Sequence, residues 1–190
     1  HLDHVAGLVL NAPDDAAKPI LGTAATLDAL RDHVFNWTLW PNFGNEGEGF
    51  LLNKYAYTRL EPGVETAIAG TTMTVEAHTL SHSAPYPSTA FLVRSGEAYA
   101  LFFGDTGPDA VEGEGRLARV WDRVAPLARE GTLRGLFLEV SYPDGRPDNL
   151  LFGHLTPSWL MAELRAFAQR VDPAAPGRAL RGLTVVVTAI

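Results

Sequence analysis

Tyr99-Ala100-Leu101-Phe102-Phe103-Gly104-Asp105-Thr106-Gly107 is the stretch on which the reading of this chain turns. Five apolar residues read as a buried strand, and the Gly-flanked Asp-Thr-Gly behind them reads as a turn at its end. A carboxylate on such a turn projects from the rim of a sheet. Working backwards, Thr71 to Leu80 alternates and is β-branched, and Thr89 to Arg94 reads as a second strand, so these segments are expected to lie side by side. Working forwards, Leu117, Val120, Trp121, Val124, Leu127 and Ala128 mark one apolar face of a helix from Arg116 to Arg129. Leu133 to Tyr142 then reads as a buried strand, Pro157 to Val171 as a helix, and Leu183 to Ile190 as a final buried strand. Strands alternating with helices give an α/β arrangement in which helices cover a sheet.

Upstream, Leu27, Leu30, Val34 and Phe35 recur at helical spacing between Ala25 and Leu39. Asn42 to Gly49 is a Gly- and Asn-rich loop leading to an expected short strand at Phe50 to Leu52. Val5 to Leu10 reads as a helix or a strand. With no internal repeat and no low-complexity linker, residues 1–190 are expected to form one domain. The chain opens on His1 and stops inside an apolar run, so it is read as an excised or incomplete piece.

A formal charge of -7 leaves no basic face on which polymeric nucleic acid could neutralise its phosphates. A small anionic substrate is still admitted, since bound divalent metals can dominate the local field. There are no cysteines, so any metal must be held by His, Asp or Glu. No apolar run reaches the roughly 18 residues of a membrane span.

Residues that can bind metal gather at strand ends and turns. His1, Asp3 and His4 lie within four residues, too close together to serve one ion comfortably but able to divide between two. His82 follows a strand, Asp105 ends another, and His154 in Gly153-His154-Leu155-Thr156 immediately precedes a helix, a position suited to a proton donor or a phosphate contact. His33 and His78 sit inside a helix and a strand and are read as structural, with His78 the rival of His82. Each residue alone has an ordinary explanation. Their order together, His-x-Asp-His, His, Gly-Asp-Thr-Gly and Gly-His-x-Thr, points to a metallohydrolase.

That order resembles the metallo-β-lactamase superfamily, whose motif begins His-x-His-x-Asp-His; this chain starts at the second His of it. Within the superfamily it is most similar to the class II cyclic-nucleotide phosphodiesterases. The similarity extends through Phe35-Asn36-Trp37, Trp40-Pro41-Asn42-Phe43, Ser81-His82-Ser83, Phe102 to Gly107, Leu138-Glu139-Val140-Ser141-Tyr142 and Leu151 to Pro157. The resemblance implies an αβ/βα sandwich, here lacking its N-terminal strands, and a site with two divalent metal ions of the Zn²⁺ type. By it, His1 and His82 hold one metal, Asp3 and His4 the second, and Asp105 bridges them. Asp3 and His154 are the catalytic residues it implies, His154 donating a proton to the leaving group or steadying the phosphate. Glu139 could orient His154. The implied reaction opens a 3′,5′-cyclic nucleotide (cAMP or cGMP) to a 5′-nucleotide. The aromatics Phe35, Trp37, Trp40 and Tyr86 are candidates to stack on the base, with burial in the core as the commoner fate of such residues.

The family places its last metal-binding His in a Thr-His-Ile-Lys run, whereas this chain reads Thr188-Ala189-Ile190, and Ala189 cannot bind metal. Each site is then one imidazole short in this piece. The alternatives are another hydrolase of this fold, a nuclease or a lactonase, or a metal-poor relative that only binds. The family's bacterial members suggest a periplasmic or secreted protein, with a cytoplasmic one as the alternative, and a homodimer is compatible with the sequence.

Overall fold

Helix formation in the second half follows from the apolar stripe at 117, 120, 121, 124 and 125, which the fold buries completely or almost so. The computed structural model describes residues 5–12 and 14–188. The expected residues His1, Asp3, His4 and Ala189 lie outside those described. Two units are delimited, His1–Val64 and Glu65–Ile190.

The first unit contains α1 (Val5–Asn11), β1 (Lys18–Gly22), α2 (Ala24–Ala29) and β2 (Tyr55–Arg59). β1 and β2 pair in parallel, Lys18 opposite Tyr55 and Gly22 opposite Arg59. Its core joins Ala6, Val9, Leu27 and Leu30 to three rings. Phe35 meets Phe43 edge-on at 5.4 Å and stacks on Tyr55 at 5.8 Å between centroids. Phe35 is therefore fully buried and unavailable to stack on a ligand. The helix expected to Leu39 ends sooner: α2 widens into a π-turn over Leu30–Val34, and Phe35 leaves helical geometry at φ -98°, ψ 64°. No strand forms at 50–52, where Phe50 is 72% exposed and Leu52 donates its amide to the Asn42 carbonyl.

The second unit is a six-stranded sheet in chain order, β3 (Thr66–Ala67), β4 (Met73–Ser81), β5 (Pro87–Ser95), β6 (Ala98–Phe103), β7 (Leu133–Glu139) and β8 (Thr184–Thr188). Its first four strands run antiparallel in succession, whereas β6, β7 and β8 are mutually parallel. The parallel strands require crossovers. α4 (Arg116–Arg129) and α5 (Pro157–Val171) supply them, with the short α3 (Asp109–Glu112) between β6 and α4. β4 is two antiparallel steps from β6, so β4, β6, β7 and β8 all deliver their C-terminal ends to the same edge of the sheet.

One core packs under the helices. Trp121 of α4 is sealed between Phe103 and Phe167, with centroids 5.3 and 4.8 Å away, and donates its indole N–H to Glu163 at 3.0 Å. Truncating such a ring costs about 3–5 kcal/mol. Burial pushes the Glu163 carboxyl above its usual range even though it accepts from Trp121 and from the Asp109 amide. The Asp109 carboxylate in turn accepts from the Leu117 and Ala118 amides at the start of α4, tying α3 to both helices.

Candidate active site

Three strand ends and one helix entry converge on a small group of side chains. β4 ends at Ser81, which places His82 beyond the sheet edge; β6 ends at Phe103, which places Asp105 one turn further; β7 ends on Glu139 itself; His154 lies three residues before α5. Convergence at the carboxyl ends of strands is where open α/β sheets hold their ligands.

Among the described residues, His82, Asp105 and His154 each place one donor atom within 4.8 Å of the others. His82 Nε2 is 3.8 Å from Asp105 Oδ2. Two ligands of one ion, each about 2.0–2.2 Å from it, lie up to about 4 Å apart, so this pair has the spacing of co-ligands. The rings of His82 and His154 meet edge-on, 4.9 Å between centroids. Of the residues expected on the sheet edge, the structure thus assembles His82, Asp105 and His154. His78 belongs elsewhere: it lies inside β4 with Nε2 3.1 Å from Glu76.

The protonation pattern follows from the partners. His82 Nδ1 lies 2.9 Å from the Gly153 carbonyl, which can only accept, so Nδ1 carries the proton and Nε2 keeps its lone pair. A ring anchored through one N–H and open at the other nitrogen is what a metal-ligating His requires. His154 Nδ1 lies 3.2 Å from Glu139 Oε1. That carboxylate also receives the Leu155 amide (3.1 Å) and the Thr106 amide (3.4 Å), and its Oε2 receives the Ser141 hydroxyl (2.6 Å). Surrounded by donors, Glu139 is an acceptor, and the His154 Nδ1–H points to it. The nitrogen left for chemistry is again Nε2.

The same contacts set the loops against each other. Thr106 is fully buried, and its hydroxyl and the Gly107 amide both donate to the Ser81 carbonyl, at 3.3 and 3.1 Å. The Asp105 turn is thereby fixed between the residue preceding His82 and the carboxylate that holds His154. Gly153 at φ 78° passes so close to His82 that a Cβ would stand 2.6 Å from the His82 carbonyl carbon and Nδ1. Only glycine allows that approach, which is why Gly precedes His154.

The N-terminus of α5 behind His154 is already occupied. Thr156 caps it by accepting from the Trp159 amide at 3.3 Å, and Asp144 accepts from the Ser158 amide at 2.9 Å. That amide holds the Asp144 carboxyl below the usual carboxylate range. The helix end thus gives its field to Asp144. His154 stands in the loop ahead of it.

Some of the rim escaped the reading of the sequence. Tyr142 meets the His154 ring edge-on at 5.5 Å, Arg146 lies over Tyr142 with 3.8 Å from Cζ to centroid, and Phe152 stands 5.7 Å from the same guanidinium. Nothing in the residue types of Tyr142 and the 151–157 segment announces this stack.

This sheet edge and strand order are those of a metallo-β-lactamase fold. The chain superposes on the metallo-β-lactamase fold protein YhfI from Bacillus subtilis with a TM-score of 0.54 at 11% identity, over 98% of this chain and 68% of that one. The short form of human tRNase Z matches at 0.53 and 18% identity, over 97% and 69%. Within that fold the chain belongs to the class-II cAMP phosphodiesterases, whose family pattern it matches over residues 1–190. It is 52% identical to a 3′,5′-cyclic-nucleotide phosphodiesterase of Aliivibrio fischeri over 165 residues, 86% of this chain and 50% of the relative. A Yersinia pestis relative is 42% identical over 190 residues, all of this chain and 54% of its own length. Yeast PDE1, solved without ligand, superposes with a TM-score of 0.84 at 30% identity over 99% of this chain and 54% of that one. The chain spans about half the length of the curated relatives it matches. No helix among the described residues is long and apolar enough to cross a membrane.

Proposed function

We propose that the protein carrying this chain hydrolyses 3′,5′-cyclic nucleotides to 5′-nucleotides, using two divalent metal ions of the Zn²⁺ type. On this reading residues 1–190 belong to one hydrolase domain, and His82 and Asp105 are metal ligands. His1, Asp3 and His4 complete the set by resemblance to the family, with Asp3 also catalytic. The observation that carries the reading is the pair of anchored imidazoles: His82 on the Gly153 carbonyl and His154 on Glu139, with Asp105 3.8 Å from His82.

Bound divalent metal supplies an acidified water as nucleophile and charge to offset that developing on the phosphate. His82 presents its unprotonated Nε2 because its Nδ1 proton is committed to the Gly153 carbonyl. As the imidazolium, with its Nδ1–H on Glu139, His154 donates its Nε2 proton to the departing 3′ oxygen. Glu139 accepts from the Nδ1–H and so aims Nε2 at the leaving group, as the buried carboxylate of a hydrolytic triad orients its imidazole. Breaking the P–O3′ bond then leaves a 3′ hydroxyl and a 5′-phosphate.

The test is conversion of cAMP and cGMP by the full-length protein, with and without chelator, the product identified by phosphorus NMR. Chelator-sensitive release of 5′-nucleotide is the expected result. Metal-replete protein that converts neither nucleotide sinks the reading.

A further inference from the structure

We propose that Phe152, with Arg146 and Tyr142 behind it, forms the subsite that receives the nucleobase of the substrate; this rests on the cyclic-nucleotide reading above. Phe152 is placed at a disadvantage twice. Its backbone sits in the left-handed region at φ 47°, which suits Gly or Asn and strains a bulky residue. The residue is 54% exposed, so little burial offsets the strain. Fold stability alone does not account for a phenyl ring in that position.

Its location suggests what it does. Phe152 immediately precedes Gly153, whose carbonyl holds His82, and stands two residues from His154, so the ring is anchored to the backbone that builds the site. From His154 outward the side chains form a continuous wall: Tyr142 edge-on to His154 at 5.5 Å, Arg146 over the Tyr142 ring at 3.8 Å, and Phe152 5.7 Å from the Arg146 guanidinium. Arg146 is steadied by its Nε, which donates to the Leu150 carbonyl. Leu150 lies in the 3₁₀ turn Asp148–Leu150, and the indole of Trp159 braces that turn by donating to Asp148 at 2.9 Å. A braced wall of aromatic and guanidinium faces matches the chemistry of a flat heteroaromatic base. The base stacks on Phe152 while guanidinium N–H groups reach acceptors on its edge. The phosphate end then lies towards His154 and the metal ligands.

The experiment compares kcat/KM for cAMP or cGMP with that for base-free ribose 3′,5′-cyclic phosphate, in the full-length metal-loaded protein and its variants. Phe152→Gly keeps the left-handed backbone and removes the ring. The preference for the nucleotide over the base-free ring should fall by about tenfold, carried by KM, in line with the worth of one stacked base. Phe152→Trp should restore the preference. An unchanged preference in Phe152→Gly, or an equal loss on both substrates, overturns the subsite while leaving the cyclic-nucleotide reading standing. Wild-type turnover of neither substrate overturns that reading, and the subsite with it.

Discussion

Glu139 is a strand-end carboxylate of the kind usually left in water, yet it is 1% exposed and takes hydrogen bonds from Thr106, Leu155 and Ser141 as well as from His154. The sequence suggested the partnership only weakly, because residues 139 and 154 are brought together by the connection between β7 and α5, which no local pattern encodes. His82, Asp105 and His154 were easier to find, since their order along the chain marked them where each residue type alone would not. Phe152 could not be found at all: a phenylalanine carries no signal that its φ is positive. Glu139→Gln keeps the shape but loses the charge that fixes the His154 tautomer. We expect kcat to drop at least about tenfold with bound metal unchanged, and the alkaline limb of the pH–rate profile to move to lower pH. A variant that keeps wild-type kcat and profile would show that Glu139 only braces the loops.

Elements were legible where periodicity and punctuation agreed. Arg116–Arg129 and Pro157–Val171 form as expected, the second from an apolar face with Thr156 and Pro157 as its start signal. β1 and β2 were missed because their parallel pairing joins segments more than thirty residues apart, and β1 carries a proline and a lysine instead of a strand-like run. The alternation of β4 has a consequence at His78. It turns Glu76, His78 and Leu80 to one face, where Glu76 pairs with Arg123 and His78 is mostly buried, its Nε2 near Glu76 but not aligned for a hydrogen bond. Burial holds the His78 pKa below 6.5, Glu76 opposing and Arg123 reinforcing the shift. The unfolded chain therefore takes up this proton first as pH falls. The stability associated with neutral His78 is present above about pH 6.5 and is lost as pH drops through the lower folded value. Denaturant melts between pH 7 and 5 should show a smaller loss for His78→Gln than for wild type; parallel curves would contradict this assignment.

At the scale of the molecule, the alternation of strands and helices pointed to α/β architecture, and the order of His and Asp motifs pointed to the family; both hold. What the sequence could not supply was the shared sheet edge, because that depends on β4, β6, β7 and β8 ending on the same side. It is this edge that makes scattered residues into one site despite a net charge of -7. We propose a division of labour along it: His82 binds metal, and His154 moves a proton. The measurement that tests it most directly is metal content and kcat, taken together, for His82→Ala and His154→Ala in the full-length protein. His82→Ala should lose metal and turnover in parallel, whereas His154→Ala should retain wild-type metal while kcat falls by about 100-fold or more. Loss of metal from His154→Ala to the same extent as from His82→Ala would make His154 a ligand and contradict the account.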